Sequence, residues 1–392
     1  MPKARSKANG EGTIYKYEKN GKTYYRGMLT IGYDEDGKLI RKSFNGSKKQ
    51  EVVNKMAEYK TKSNAGLLPS DDKITLQQWF YTWLFDFRIN DLKPSSLERY
   101  EGIYRNYIKD TQIGKKKLSD LRAADIQMYY NSLSESNKTA DTIKMINKNL
   151  KTCLNEALKQ GLITKNYCTL VTLPKVEKKD EITVFSVEEQ KSLINYLEGH
   201  RLKMLLAMAL GTGMRQGELL GLKWSDIAFD NNTVSINKSI KLVYVVTKNG
   251  SRESKIIEQT PKTKNSIRTI PVPSKVMDEL KQYKEFQNQE KINNKDLYLD
   301  NNIVFATELG AYLDSRYLTK RYTSILKKAD IPYKKFHSLR HTYCTRLFEA
   351  GIPIKIVQML MGHGDIKTTM NIYTHVMPDE KIKAVEKINN LF

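Results

Sequence analysis

The chain has 392 residues, with 66 Lys and Arg against 44 Asp and Glu and a formal net charge of +22. That length suits two to three domains. The charge points to a polyanionic partner, nucleic acid first, although a merely lysine-rich soluble surface would give the same balance. Cys153, Cys168 and Cys344 are too few and too scattered for a disulfide framework. The N-terminus, Met1-Pro2-Lys3-Ala4-Arg5, lacks the apolar centre of a signal peptide. No apolar run reaches the roughly 18 residues of a membrane span, so a cytoplasmic protein is expected.

The first ten residues read as a basic tail. Gly12 to Phe44 then reads as three strands separated by Asn20-Gly21 and Asp36-Gly37, pairs that accept the positive φ of tight hairpin turns. Ser47 with Gln50 has capping-box spacing and predicts a helix from Lys48 to about Lys62. Through Gly66 this unit carries 15 Lys and Arg against 7 Asp and Glu. Tyr15, Tyr17, Tyr24 and Tyr25 alternate with Lys16, Lys22 and Arg26. The pattern suits a sheet that reads DNA, and equally an ordinary sheet with one tyrosine face in its core.

Asn64 to Asp72, with Gly66, Pro69 and Ser70, reads as a linker. Residues 73–175 then predict an all-helical domain. Thr75 with Gln78 caps a helix bearing Trp79, Phe80, Trp83, Leu84 and Phe87. Pro94 opens a second helix with Leu97, Tyr100, Tyr104 and Tyr107. Ser119–Ser134 gives a third, and Ala140–Gln160 a fourth that Gly161 stops. These aromatic stripes read as core.

Leu173 to Lys179 is a second, charged linker, and residues 180–392 form a third domain. Ser186 with Glu189 starts a helix there. Arg201–Leu210 is another, broken at Gly211-Thr212-Gly213. Thr233 to Pro273, rich in Val, Ile and Thr, predicts one small antiparallel sheet. The remainder is mostly helical, with breaks at Gly351-Ile352-Pro353 and at Gly362 to Gly364.

Four of the five histidines, His337, His341, His363 and His375, lie after residue 336. His337 and Arg340 stand three apart in a helical run, so both side chains share a face and can meet one anion. Arginine offers phosphate a planar fork of donors, and histidine can move a proton near neutral pH. Metal-ligand spacings of Cys or His are missing from the sequence. Gly211, Gly213 and Gly217 do not have dinucleotide-loop spacing.

Three stretches occur in order: Gly213-Met214-Arg215-Gln216-Gly217-Glu218, then His337-Ser338-Leu339-Arg340, then Leu360-Met361-Gly362-His363 followed ten residues on by Tyr373. Together they resemble the signature boxes of the tyrosine recombinase family, which includes phage and conjugative-transposon integrases. The likeness is specific from about Phe185 to His375. Before that it is one of layout: an arm-type DNA-binding domain (1–66), a helical core-binding domain (73–175) and a mainly α catalytic domain with some β structure (180–392).

The resemblance implies that Arg215 and Arg340 clamp the scissile phosphate. Tyr373 attacks phosphorus and forms a 3′-phosphotyrosyl bond. His337 assists proton transfer and His363 hydrogen-bonds the phosphate. A lysine on a β-hairpin protonates the leaving oxygen; Lys262 fits best, with Lys264 as the alternative. Glu218 braces the arginine box. His375 fits the family and fits a capping role equally. The resemblance also implies no metal or nucleotide cofactor, attachment-site duplex DNA as substrate and a tetrameric synapse. An excisionase and a host DNA-bending protein are further partners it suggests. The amphipathic stretch Pro378–Phe392 is expected to pack onto a neighbouring protomer. A helix-turn-helix DNA-binding protein without catalysis, or a type IB topoisomerase, would share parts of this pattern.

Overall fold

A computed structural model describes residues 12–19, 21–33, 39–64, 74–175, 182–259 and 267–376. The basic N-terminal tail, the Asp36-Gly37 turn, both linkers' centres, Lys262, Lys264 and Pro378–Phe392 lie outside these residues. The chain divides into two compact units, Met1–Val176 and Glu177–Phe392.

The first unit begins with an antiparallel sheet of β1 (Thr13–Lys19), β2 (Lys22–Tyr33) and β3 (Leu39–Gly46), in that order. Gly21 supplies the positive φ, 71°, beside the first turn. Helix α1 (Lys49–Asn64) lies on one face and buries Val52 and Met56 against Leu29. Tyr25 and Phe44 pack on that side. Tyr15 pairs across the ladder with Arg26, and Tyr17 with Tyr24, which places these four on the opposite face by the two-residue period. The tyrosine face is therefore not the core. The predicted Ser47–Gln50 cap is replaced by Ser47–Glu51: the Glu51 carboxylate accepts from the Ser47 backbone at 3.1 Å, while Gln50 donates to Asn54.

The helical part follows with α2 (Leu76–Thr82), α3 (Pro94–Ile103), α4 (Gln112–Lys115), α5 (Ala123–Glu135) and α6 (Ala140–Lys159). The Thr75–Gln78 box forms as predicted, and Trp79, Phe80, Trp83 and Leu84 are buried. A π-helical turn, Trp83–Phe87, extends α2, and a second one, Tyr104–Ile108, extends α3. Helix α5 starts at Ala123 rather than Ser119, because the Asp125 carboxylate takes the Arg122 backbone N–H at 2.8 Å and fixes the first turn there. Helix α6 buries Ile143, Ile146, Leu150, Cys153, Leu154 and Ala157, a stripe at helical spacing. The Trp79 indole donates to the Cys153 carbonyl at 3.1 Å, tying the first helix to the last.

The second unit opens with α7 (Val187–Tyr196), capped by Ser186 and Glu189 as predicted. Helix α8 (Lys203–Thr212) follows. Its residues from Met204 to Leu210 are all buried, which marks it as the central helix of the unit. The chain continues through Gly211 and breaks only at Gly213, in the left-handed region at φ 62°. Then come α9 (Gln216–Leu220) and the strands β4 (Ile227–Ala228), β5 (Thr233–Ile236), β6 (Ser239–Val246), β7 (Arg252–Gln259) and β8 (Arg268–Pro271).

Where the sequence predicts one sheet, two form: β4-β5-β8 and a separate β6-β7 ribbon. The corner between β5 and β6 explains the split. Asn237 and Lys238 are both held by Asp226, at 3.2 and 3.4 Å, and this turns the chain out of the first sheet.

Helices α10 (Ser274–Asn293), α11 (Ser315–Lys328), α12 (His337–Glu349), α13 (Ile354–Met361) and α14 (Ile366–Val376) complete the unit. Helix α12 packs on α8. A small second core of Cys344, Phe348, Val357, Met361 and Ile372 locks α12, α13 and α14 together. The architecture is thus a three-stranded sheet with a helix, an all-α module, and a mainly helical unit with two small sheets. Among the described residues, no helix is long and apolar enough to cross a membrane.

Candidate active site

Two left-handed glycines set the geometry. Gly213 ends α8 and Gly362 ends α13, both at φ 62°. Each helix C-terminus leaves carbonyls without helical partners, and these carry partial negative charge. Three arginines use them.

Arg215 follows Gly213 and occupies the cap position of α9. Its Nη1 donates to Glu218 Oε1 at 2.7 Å, its backbone N–H to Glu218 Oε2 at 2.9 Å, and its Nη2 to the Gly362 carbonyl at 3.2 Å. Arg340, on α12, is buried at 2% exposure. Its Nη1 donates to the Gly213 carbonyl at 2.5 Å and its Nη2 to the Met361 carbonyl. Arg268, on β8, donates from Nε to the Leu360 carbonyl at 2.9 Å. The consecutive carbonyls of residues 360, 361 and 362 are therefore each held by a different arginine.

Charge is distributed unevenly in this cluster. Glu218, 3% exposed, is a carboxylate shared by Arg215 and Arg268. Burial works against its ionised form, but hydrogen bonds from Arg268 and the two guanidinium charges win, holding its pKa below the ordinary 4.5. Among the described residues, Arg340 hydrogen-bonds only to neutral carbonyls. Burial and the nearby Arg215 charge push its pKa down from 12.5, yet a guanidinium stays protonated at neutral pH. A buried cation without a hydrogen-bonded carboxylate is suited to receive an anion.

The histidines around it are neutral. Burial, then His341, Arg340 and Arg215, push the pKa of His337 down to about 4. The same kind of setting, with burial first and Arg340 next, pushes His363 down to about 3. His341 is also lowered, chiefly by burial. His337 and His341 meet edge to face at 4.7 Å between ring centroids. His363 Nδ1 lies 2.8 Å from the hydroxyl of Thr369, a fully buried residue on α14.

The structure thus brings Arg215, Arg340, His337 and His363 into one cluster from α9, α12 and the turn after α13. Tyr373 sits on α14, half-buried, with its ring edge-on to Phe348 at 5.0 Å. Among the described residues, no hydrogen bond joins its hydroxyl to the cluster. Lys262 and Lys264 fall outside the described residues. Among the described residues, the strands that flank them, β7 and β8, pair with β6 and β5 and not with each other. Sequence reasoning missed Arg268 and Thr369. Both are identified only by what they touch.

Comparisons with known proteins identify the family. Residues 183–380 match the phage integrase family, and residues 75–134 match the phage integrase N-terminal SAM-like domain. The chain belongs to the phage integrase family and is a tyrosine site-specific recombinase. A tyrosine recombinase XerC-like protein of Caldanaerobacter subterraneus subsp. tengcongensis is 46% identical over 384 residues, covering 96% of this chain and 98% of the relative. The ICEBs1 integrase of Bacillus subtilis is 23% identical, covering 94% of this chain and 97% of its own. The fold is shared with the Tn1549 transposon integrase solved in complex with a circular intermediate DNA, at TM-score 0.65 and 20% identity over 80% of this chain and 99% of that one.

Proposed function

We propose that this recombinase integrates or excises a mobile element by cutting and rejoining attachment-site DNA at a site built from Arg215, Arg340, His337, His363, Tyr373 and Lys262. The observation that carries this reading is Arg340: a buried guanidinium held by neutral carbonyls, on the same helix face as a neutral histidine.

A phosphodiester is anionic and resists an anionic nucleophile. Arg215 and Arg340 neutralise its non-bridging oxygens and the extra charge of the transition state, usually the largest catalytic contribution. The Tyr373 Oη attacks phosphorus; the new bond is phosphotyrosyl, and the bond to the 5′ oxygen breaks. His337, neutral at pH 7, accepts the tyrosine proton, and Lys262 gives a proton to the departing 5′ oxygen, with Lys264 the alternative. With the Thr369 hydroxyl as donor to His363 Nδ1, Nε2–H is left as a donor to phosphate. The reverse sequence rejoins a strand without ATP, because the phosphotyrosyl link conserves the bond.

Residues 1–66, 73–175 and 180–392 act as arm-binding, core-binding and catalytic domains. The sheet face of Tyr15, Tyr17, Tyr24 and Arg26, opposite α1, supports DNA contact by the first. A tetrameric synapse is supported by the lambda integrase tetramer solved on a Holliday junction, which this fold resembles at TM-score 0.55. An excisionase and a DNA-bending protein would set direction.

The test is covalent trapping on a nicked suicide duplex carrying the attachment core, with a chelator and without ATP. Wild type forms a protein–DNA band on a denaturing gel and Tyr373→Phe does not. A band of equal strength from Tyr373→Phe would refute the assignment.

A further inference from the structure

We propose that Arg268 is a positioning residue of the cleavage site: it holds the Glu218 carboxylate in register with Arg215. This rests on the reading of Arg215 and Tyr373 given above.

Arg268 is the first residue of β8, and its side chain is only 7% exposed. A group so enclosed is poorly placed to meet DNA, whereas the Arg215 side chain is 36% exposed. The Arg268 fork is bidentate: Nη1 donates to Glu218 Oε1 at 3.3 Å and Nη2 to Oε2 at 3.0 Å. Arg215 uses the same two oxygens, Oε1 through its guanidinium and Oε2 through its backbone N–H. Each carboxylate oxygen is thus shared between one group of Arg215 and one of Arg268. The carboxylate can turn toward neither arginine without breaking its bonds to the other.

The third arm of Arg268, Nε, grips the Leu360 carbonyl at 2.9 Å. Its backbone is paired with Ile236 in β5. One side chain therefore joins the strand after the lysine segment, the arginine-box helix α9 and the end of α13, two residues from the carbonyl that Arg215 holds. A lysine at 268 would keep the charge but could not make the fork.

The experiment measures single-turnover strand cleavage with the full-length protein at saturating concentration. The substrate is a suicide duplex with either an ordinary scissile phosphate or a neutral methylphosphonate there. On the phosphodiester, Arg268→Gln should lose about 100-fold in cleavage, the scale of one preorganised donor, with site affinity kept within about threefold. Arg268→Lys should recover about tenfold of that loss. On the methylphosphonate, which has no charge to clamp, the Arg268→Gln deficit should fall below about tenfold.

Cleavage by Arg268→Gln within about threefold of wild type overturns the proposal, and so does an equal loss on both substrates, the mark of a general weakening of the fold. If Arg268→Gln does not fold, Arg268→Lys is read in its place and parity with wild type overturns it. If wild type does not cleave the neutral duplex, Arg268→Gln is combined with Glu218→Gln on the ordinary one: losses that fail to add support the proposal, and additive losses overturn it. A Tyr373→Phe control separates the two readings. An adduct from that variant overturns the site itself, while its absence alongside wild-type cleavage by the Arg268 variants overturns this inference alone.

Discussion

Replacing Glu218 by Gln tests the charge arrangement of the cluster without changing its shape. The carboxylate is 3% exposed and accepts four hydrogen bonds, at 2.7, 2.9, 3.0 and 3.3 Å, from Arg215 and Arg268. Removing one partner of a buried ion pair costs about 3–5 kcal/mol, because the remaining charge stays desolvated. Arg215 is partly exposed and glutamine keeps one acceptor oxygen, so the lower end, about 3 kcal/mol, is expected. At roughly 2–4 °C per kcal/mol for a domain of this size, the second unit should melt about 6–12 °C lower at pH 7.

The difference should also depend on pH. A carboxylate whose folded pKa is depressed contributes stability that is present above its ordinary value, 4.5, and lost as pH falls through the folded value. Parallel urea titrations of wild type and Glu218→Gln should therefore show a constant gap from about pH 5 to 8 that closes below about 4.5. A shift smaller than about 2 °C at pH 7, or a gap that widens in acid, would refute the electrostatic account.

Three further expectations follow from the same geometry. His337 and His363 have folded pKa values of about 4 and about 3 against an ordinary 6.5. The unfolded chain thus binds more protons between these values, so stability should rise with pH from about 4 to 6.5, and His337→Gln should flatten part of that slope in denaturant midpoints. Gly213→Ala places a methyl group against the Tyr343 ring at a φ of 62°, and should lower stability by about 2 kcal/mol or more, read by thermal melting. Thr369→Val keeps the shape but removes the partner of His363 Nδ1, and should slow cleavage about tenfold with DNA affinity unchanged, whereas Thr369→Ser should restore it.

The parts of the fold legible in the sequence were those written locally. The Thr75–Gln78 and Ser186–Glu189 caps and the left-handed Gly213 and Gly362 each depend on neighbours within a few residues. The ordered boxes also let Arg215, Arg340, His337 and His363 be grouped across more than a hundred positions, and the fold does bring them together. What escaped were pairings without a local signature. Thr369 is an ordinary helical threonine until His363 is set against it. Arg268 is one basic residue in a basic stretch until β8 pairs with β5. The single predicted sheet became two because Asp226, at a distance in sequence, holds the corner at Asn237 and Lys238.

The grip of three arginines on residues 360, 361 and 362 has a consequence for how this region can vary. The arginines address main-chain oxygens, so the side chains of Leu360 and Met361 can drift with the demands of their own core while the clamp keeps its anchors. Chain length has no such freedom. One residue added to or removed from α13 rotates everything beyond it by roughly 100° and moves it about 1.5 Å along the axis. All three oxygens would leave their guanidiniums at once, and His363 with them. Family members should accordingly tolerate substitution along this helix far more readily than insertion or deletion.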